Sequence, residues 1–354
     1  MRIVALALLA PLALSAAPAP EGKPLAVHSG GRFMTQGREM RFGWPGAYVE
    51  GRFRGSDVTV HLKTDTDFLR ISVDGKPFQT IVTPGEAVVK VARLKPGVHS
   101  IRVDKLTESQ SGSSSFLGFT THGTPLPAPA RAVRIEFIGD SHSVGYGNTS
   151  KTRECTYKQV HDTTDTTRAF GPVLAQRLGA DYRVIAYSGY GIVRNYAGSK
   201  PGENLPFLYP RAIPGEPGAV QADGWKPGVI VINLGTNDFS TPVHAGEAWA
   251  DEAALRSEYR TRYIDFVKER QRSNPKARII LMGAENFYAD VAAVAAATGV
   301  TPVKVPALEM TACNWHPSLK DHRVMANLLD PLVRKSMAVI PAKAGTQSPK
   351  PGRP

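Results

Sequence analysis

Four residues of this chain have the types that acyl transfer needs: Ser141, Gly189, Asn237 and His316. A serine hydroxyl becomes a nucleophile when a histidine takes its proton. Backbone N–H groups and an amide side chain, aimed where charge develops on the attacked carbonyl, stabilise the intermediate by about 3 kcal/mol per donor. Ser141 closes the run Arg134-Ile135-Glu136-Phe137-Ile138-Gly139-Asp140-Ser141, an apolar stretch that enters a turn, with Gly145, Tyr146, Gly147 and Asn148 beyond it. Taken singly, each residue has a plainer reading. Asp140 and Ser141 could cap a helix, Gly189 could serve a turn, Asn237 could be a cap, and His316 could lie on the surface. Their places set them apart: three follow strand-like runs, and His316 opens the last helix.

The elements that must position them can be read from 131 to 340. The apolar residues ending at Gly139 read as a buried strand of a parallel sheet. Tyr182 to Tyr187 is a second strand, ending at Ser188-Gly189-Tyr190-Gly191. Val229 to Leu234 is a fully apolar third, ending at Gly235-Thr236-Asn237-Asp238. Arg278 to Met282 supplies a fourth and Val303 to Val305 a short fifth. Helices are expected near Ala169 to Leu178, along the stripe Leu255, Tyr259, Tyr263, Phe266 and Val267, over Asp290 to Ala297, and from just after His316 to about Met337. Such alternation gives a parallel sheet with helices on both faces. Ligands of open α/β sheets collect beyond the carboxyl ends of the strands, so the four residues would meet in one crevice.

The front of the chain is different. Asp57 to Thr64 alternates apolar and polar with period two, and Phe68 to Val73 repeats the pattern before a hairpin signal at Asp74-Gly75. Ala87 to Ala92 and Val98 to Val103 flank a turn at Pro96-Gly97, and Phe116 to Phe119 reads as a last strand. Short strands at this spacing predict a β-sandwich, a jelly roll, over 22–124. Thr124 to Ala130 reads as a stiff proline-rich linker. Trp44, Tyr48 and Phe53 could form a sugar-stacking face, or could be core and inter-domain packing.

Targeting and composition bound the setting. An apolar run from Ile3 to Leu14 follows Arg2 and ends in Ser15-Ala16-Ala17, a secretory signal over 1–17 that is too short to span a membrane. The mature protein is therefore expected in a periplasm or outside the cell, without membrane insertion. The tail over 341–354 is rich in Pro, Gly and Lys and is expected to be disordered. The formal charge of +12 favours polyanions in general. Scattered basic residues and the lack of a binding motif argue against nucleic acid; an anionic polysaccharide or envelope surface suits an exported protein, and a merely solubilising charge is the plainer reading. No Cys-x-x-Cys or His-Glu-x-x-His occurs, and His316 and His322 are wrongly spaced to share a helical face, so no metal site is expected. Cys155 and Cys313 would live in an oxidising compartment, in loops expected at the same crevice edge. A disulfide between them is one reading and two free buried thiols the other.

Gly139-Asp140-Ser141, Gly189, Gly235-Thr236-Asn237-Asp238 and His316-Pro317 match, in order, the blocks of the SGNH/GDSL hydrolases, and the chain resembles that superfamily. It is similar in particular to carbohydrate esterase family 2, whose members place a jelly roll before the hydrolase domain. Ile135 to Asn148 and Cys313-Asn314-Trp315-His316-Pro317-Ser318 look like that family's signatures. The resemblance spans nearly all of the chain between signal and tail. It implies an N-terminal β-sandwich followed by a flavodoxin-like SGNH hydrolase domain, and removal of acetyl groups from sugar hydroxyls of xylan-type polysaccharide or simple sugars. Ser141 would be the nucleophile and His316 the general base. The Ser141 N–H, the Gly189 N–H and the Asn237 side chain would form the oxyanion hole, and Trp315 an apolar wall for the sugar or acetyl group. No cofactor is implied. One position departs: members with a full triad have Asp two residues before the His, where this chain has Asn314. A backbone carbonyl of the same loop is the expected orienter of His316. A lipase-like or thioester-cleaving GDSL hydrolase is disfavoured because no apolar lid-like insertion is visible. A carbohydrate-binding protein with a decayed catalytic fold is disfavoured by four intact site residues.

Overall fold

The computed structural model describes residues 21–218 and 224–338. The signal expected over 1–17 and the tail expected over 341–354 lie outside them. In chain order the front strands are Lys23–Pro24 (β1), Val27–Gly30 (β2), Met34–Gln36 (β3), Glu39–Phe42 (β4), Tyr48–Gly55 (β5), Val58–Thr64 (β6), Leu69–Val73 (β7), Lys76–Ile81 (β8), Gly85–Val91 (β9), Gly97–Lys105 (β10), Ser114–Thr121 (β11) and Thr124–Leu126 (β12). One sheet runs β3-β4-β11-β6-β9 with β1 paired to β11; the other runs β12-β5-β10-β7-β8 with β2 paired to β5. All of these pairings are antiparallel.

Alternation makes this sandwich: Val58, Val60 and Leu62 of one sheet and Leu69, Ile71 and Val73 of the other turn into a shared core. Asp74 and Gly75 form the two-residue loop between β7 and β8, both with positive φ (50° and 74°), as a type I′ hairpin requires. One expectation changes, and one choice between readings is decided. The segment read as a linker opens with a strand, because Thr124–Leu126 pairs with Arg52 to Arg54 of β5. Trp44, Tyr48 and Phe53 are each buried to 1% exposure or less, so they are packing residues and not a sugar-stacking face.

The second half holds a parallel sheet of Arg134–Gly139 (β13), Asp181–Ala186 (β14), Val229–Asn233 (β15), Arg278–Gly283 (β16) and Thr301–Lys304 (β17), ordered β14-β13-β15-β16-β17. Its helices are Ser141–Val144 (α1), Tyr157–Thr163 (α2), Phe170–Arg177 (α3), Leu205–Leu208 (α4), Glu252–Ser273 (α5), Tyr288–Thr298 (α6) and Leu319–Ala338 (α7). The central strand β15 is buried on both sides, with Ile230 and Ile232 against α5 and α6, and Val229 and Val231 against α3 and α7. Its continuous apolar run has that cause. The order reverses at β13, so the crevice of the switch point lies beyond the carboxyl ends of β13 and β15. The fifth strand begins two residues before the expected Val303, at Thr301. Being an edge strand, it buries only Val303.

Candidate active site

Gly139 ends β13, and a side chain there would collide with Ser143 Oγ. Glycine thus lets the chain turn at once into α1. Asp140 caps that helix, its carboxylate accepting the His142 N–H at 3.0 Å. The capping role therefore falls to Asp140, and Ser141 is left as the first helical residue, 4% exposed at the crevice. Its Oγ lies 2.9 Å from His316 Nε2.

His316 follows a 3-10 turn, Cys313–Trp315, in which Asn314 and Trp315 both take left-handed backbone (φ 50° and 55°). For Trp that conformation costs energy and persists only where the surroundings impose it. Three ties do so. A disulfide joins Cys313 to Cys155, Cα atoms 5.4 Å apart. The Asn314 N–H donates to the Arg153 carbonyl at 2.5 Å, and Ala312 pairs with His316 through an N–H···O bond of 3.1 Å. Arg153 itself reaches the carbonyls of Met310 and Glu309, both at 2.9 Å. The twist brings two backbone carbonyls, those of Cys313 at 3.0 Å and Asn314 at 2.9 Å, to His316 Nδ1. Carbonyls only accept, so Nδ1 carries the proton and Nε2 is free to accept from Ser141. The Asn314 side chain does not touch the imidazole; its Nδ2 donates to the Tyr146 hydroxyl at 3.1 Å. Burial holds the His316 pKa below the ordinary histidine value, keeping the base neutral. Trp315 is 59% exposed beside it.

Gly189 lies beyond β14 with φ +85°, and a side chain there would meet nothing within 4 Å. The backbone conformation requires glycine, and the space in front is open. Asn237, beyond β15, donates through Nδ2 to the Tyr190 carbonyl at 2.9 Å and to Asp140 Oδ2 at 3.3 Å. The structure thus brings Ser141, Gly189, Asn237 and His316 to one crevice. Its neighbour Asp238 holds the loop after Gly189, its buried carboxylate accepting the N–H groups of Ile192, Val193 and Arg194 at 2.9 to 3.1 Å. Burial and the nearby Asp238 charge push Asp140 up to about 7, against the pull of the His142 N–H.

Several participants are not readable as such in the sequence. The front domain grips the end of β14: Ser109 Oγ donates to the Ala186 carbonyl at 2.7 Å, Gln110 Nε2 to that of Ser188 at 3.0 Å, and the Ser188 hydroxyl to Glu108. Tyr196, 55% exposed, donates its N–H to the Gly189 carbonyl at 2.8 Å. A cavity of about 790 Å³ lies apart from the dyad; Arg194, Trp249 and Arg262 line it, and neither Ser141 nor His316 does. Among the described residues one trio of potential metal ligands comes together, His28, Glu50 and Asp181. Arg131 and Arg102 already pair with Glu50, and Arg131, His28 and Tyr48 with Asp181, so guanidinium groups take the place of a cation. No helix among the described residues is long and apolar enough to cross a membrane.

Comparison with known proteins gives this arrangement its class. Residues 29–129 match the family Carbohydrate esterase 2 N-terminal, and residues 137–322 match the GDSL-like Lipase/Acylhydrolase family. An acetylxylan esterase / glucomannan deacetylase of Cellvibrio japonicus is 41% identical over 87% of this chain and 90% of its own length. Among solved structures, a carbohydrate esterase described as having divergent catalytic and non-catalytic binding functions is 39% identical, with a TM-score of 0.83 over 88% of this chain and 98% of the other. A family two carbohydrate esterase of Clostridium thermocellum, solved with cellohexaose, is 29% identical, with a TM-score of 0.78 over 88% and 99% of the two chains. The fold and these matches define a carboxylic-ester hydrolase of the SGNH class. Within it, the chain belongs to carbohydrate esterase family 2.

Proposed function

We propose that this protein is an exported esterase that removes acetyl groups from sugar hydroxyls of a polysaccharide, xylan-type in the first place, or of simple sugars, through a Ser141–His316 dyad. The observation that carries the mechanism is the 2.9 Å contact from Ser141 Oγ to His316 Nε2, with Nδ1 of the same ring bound to two carbonyls. Ser141 Oγ attacks the acetyl carbonyl as His316 Nε2 takes its proton. The oxyanion is met by the N–H groups of Ser141 and Gly189 and by the Asn237 side-chain amide. Collapse breaks the ester bond, and the imidazolium protonates the departing sugar oxygen, which leaves as a hydroxyl. Water then attacks the acetyl-serine with His316 again as base, releasing acetate. Trp315 offers an apolar wall beside the base, and its exposure leaves it available to a sugar ring. The acetylxylan and glucomannan activities in the name of the Cellvibrio relative support the substrate class. The signal-like segment over 1–17 supports export.

The test is acetate release from acetylated xylan, glucomannan, pectin and peptidoglycan by the wild-type protein and by Ser141→Ala. Release from at least one polysaccharide, reduced to a few per cent or less in the folded variant, is expected. Hydrolysis only of long-chain or thioester substrates, or binding of polysaccharide without release, would reject the proposal.

A further inference from the structure

A serine–histidine pair without an acid leaves two tasks open. The imidazole must be held in one orientation, and its positive charge must be met when it takes the proton. The carbonyls of Cys313 and Asn314 serve the ring edge. The ring face is served by Tyr146, whose ring stacks on His316 with centroids 4.1 Å apart and planes 25° apart. Tyr146 rides on the nucleophile's own turn, since its N–H bonds to the Ser141 carbonyl at 3.1 Å. Its hydroxyl is tied to the base's loop through Asn314 Nδ2. One ring therefore spans the two segments whose relative position sets the dyad.

Building on the acyl-enzyme reading above, we infer that Tyr146 takes over the work of the missing triad carboxylate. It positions His316 by stacking, and its electron-rich face stabilises the imidazolium by cation–π attraction. Asn314, at the acid's place in sequence, holds the tyrosine and not the histidine. Tyr146 is a positioning residue: it acts through His316 and leaves the ester to other groups.

The other groups around His316 do not fill this role. His142 meets it edge-on at 5.6 Å and 83°; His322 of α7 interacts electrostatically with both rings, and Asp321 with His142 and His322. Burial pushes His142 and His322 each down to about 3, so both stay neutral at working pH. Glu108 of the front domain faces Tyr146, and burial pushes its carboxyl up to about 7. Asp140 is likewise pushed up to about 7, largely by its burial. Both would titrate near neutral pH, so the imidazole itself must be observed rather than the rate alone.

The experiment replaces Tyr146 by Phe and then by phenylalanines of increasing fluorination, which keep the ring's shape while draining its negative face. The His316 imidazole is titrated by NMR without substrate, its signal assigned by absence in His316→Gln, and kcat and KM are measured on a small acetyl ester. Tyr146→Phe should leave the midpoint nearly in place. Progressive fluorination should lower it stepwise by about one pH unit in all, with kcat falling about tenfold and KM unchanged. Tyr146→Leu should reach the same end point. A midpoint and kcat indifferent to fluorination would overturn the inference. So would a loss with Tyr146→Phe as deep as with the fully fluorinated ring, which would assign the role to the hydroxyl. Because the titration needs no substrate, a stepwise midpoint shift in a protein that released no acetate would uphold the ring's role and reject the proposed function.

Discussion

At Asn314 one residue shows how composition can mislead about mechanism. Replacing a triad Asp by Asn can cost about 10⁴ in rate, because the amide selects the wrong imidazole tautomer. Here that penalty has no route, since the Asn314 side chain points at Tyr146 and only its carbonyl meets His316. Asn314→Ala should therefore lower kcat on an acetyl ester about tenfold or less, ~1.4 kcal/mol. Asn314→Asp should be neutral or mildly activating, and His316→Ala should abolish turnover. A loss with Asn314→Ala as deep as with His316→Ala would make Asn314 the orienter after all. The types and order of Ser141, Gly189, Asn237 and His316 could be read in the chain because strand ends and a helix start are local features. Tyr146 could not be assigned a role, because its partner Asn314 is 168 positions away and ring stacking leaves no local pattern.

Among the elements, the loop carrying the base is the one under most constraint. It holds left-handed Asn314 and Trp315 and is tied by the Cys155–Cys313 bridge across 158 positions. Gly147 lets the nucleophile's segment approach closely: any side chain there would strike Cys313. The double variant Cys155→Ser, Cys313→Ser should unfold at lower denaturant, by about 2–4 kcal/mol of stability. It should also lose kcat, as the two left-handed residues relax and the imidazole swings from Ser141. Unchanged unfolding midpoint and kcat would show that the bridge neither stabilises the fold nor holds the base. The parallel strands could be read because burial on both faces makes them continuously apolar. β17 starts before its apolar residues because a sheet edge needs few of them. β5 is hard to read for another reason: Gly51 stands between the inward Val49 and Phe53, and Tyr48 on the other face enters the hydrolase core, so the alternation is weak.

Across the whole molecule the two domains share a seam that no local pattern announces. Trp44 of the front domain is fully buried among hydrolase residues, with its Nε1 donating to the Arg211 carbonyl at 3.0 Å. Tyr48 donates to Asp181 at 2.8 Å, and Arg70 pairs with Asp165 at 2.9 Å. With the grip of Ser109 and Gln110 on β14, the seam makes the front domain part of the active site's frame. The protein should consequently unfold in one transition. Trp44→Ala should cost about 3–5 kcal/mol and lower the whole transition, measured by calorimetry. Two separable transitions, with only the first shifted, would mean that the domains stand independently.

The most direct test of the acyl-enzyme reading is stoichiometric labelling with a serine-directed phosphonate ester. Acetate release from the polysaccharide substrate is followed as label is incorporated, and the modified peptide is located by mass spectrometry. The expected result is one label per chain, on Ser141, with activity lost in proportion and no incorporation into Ser141→Ala. Full acetate release from protein labelled at Ser141, or inactivation with the label on another residue, would contradict it.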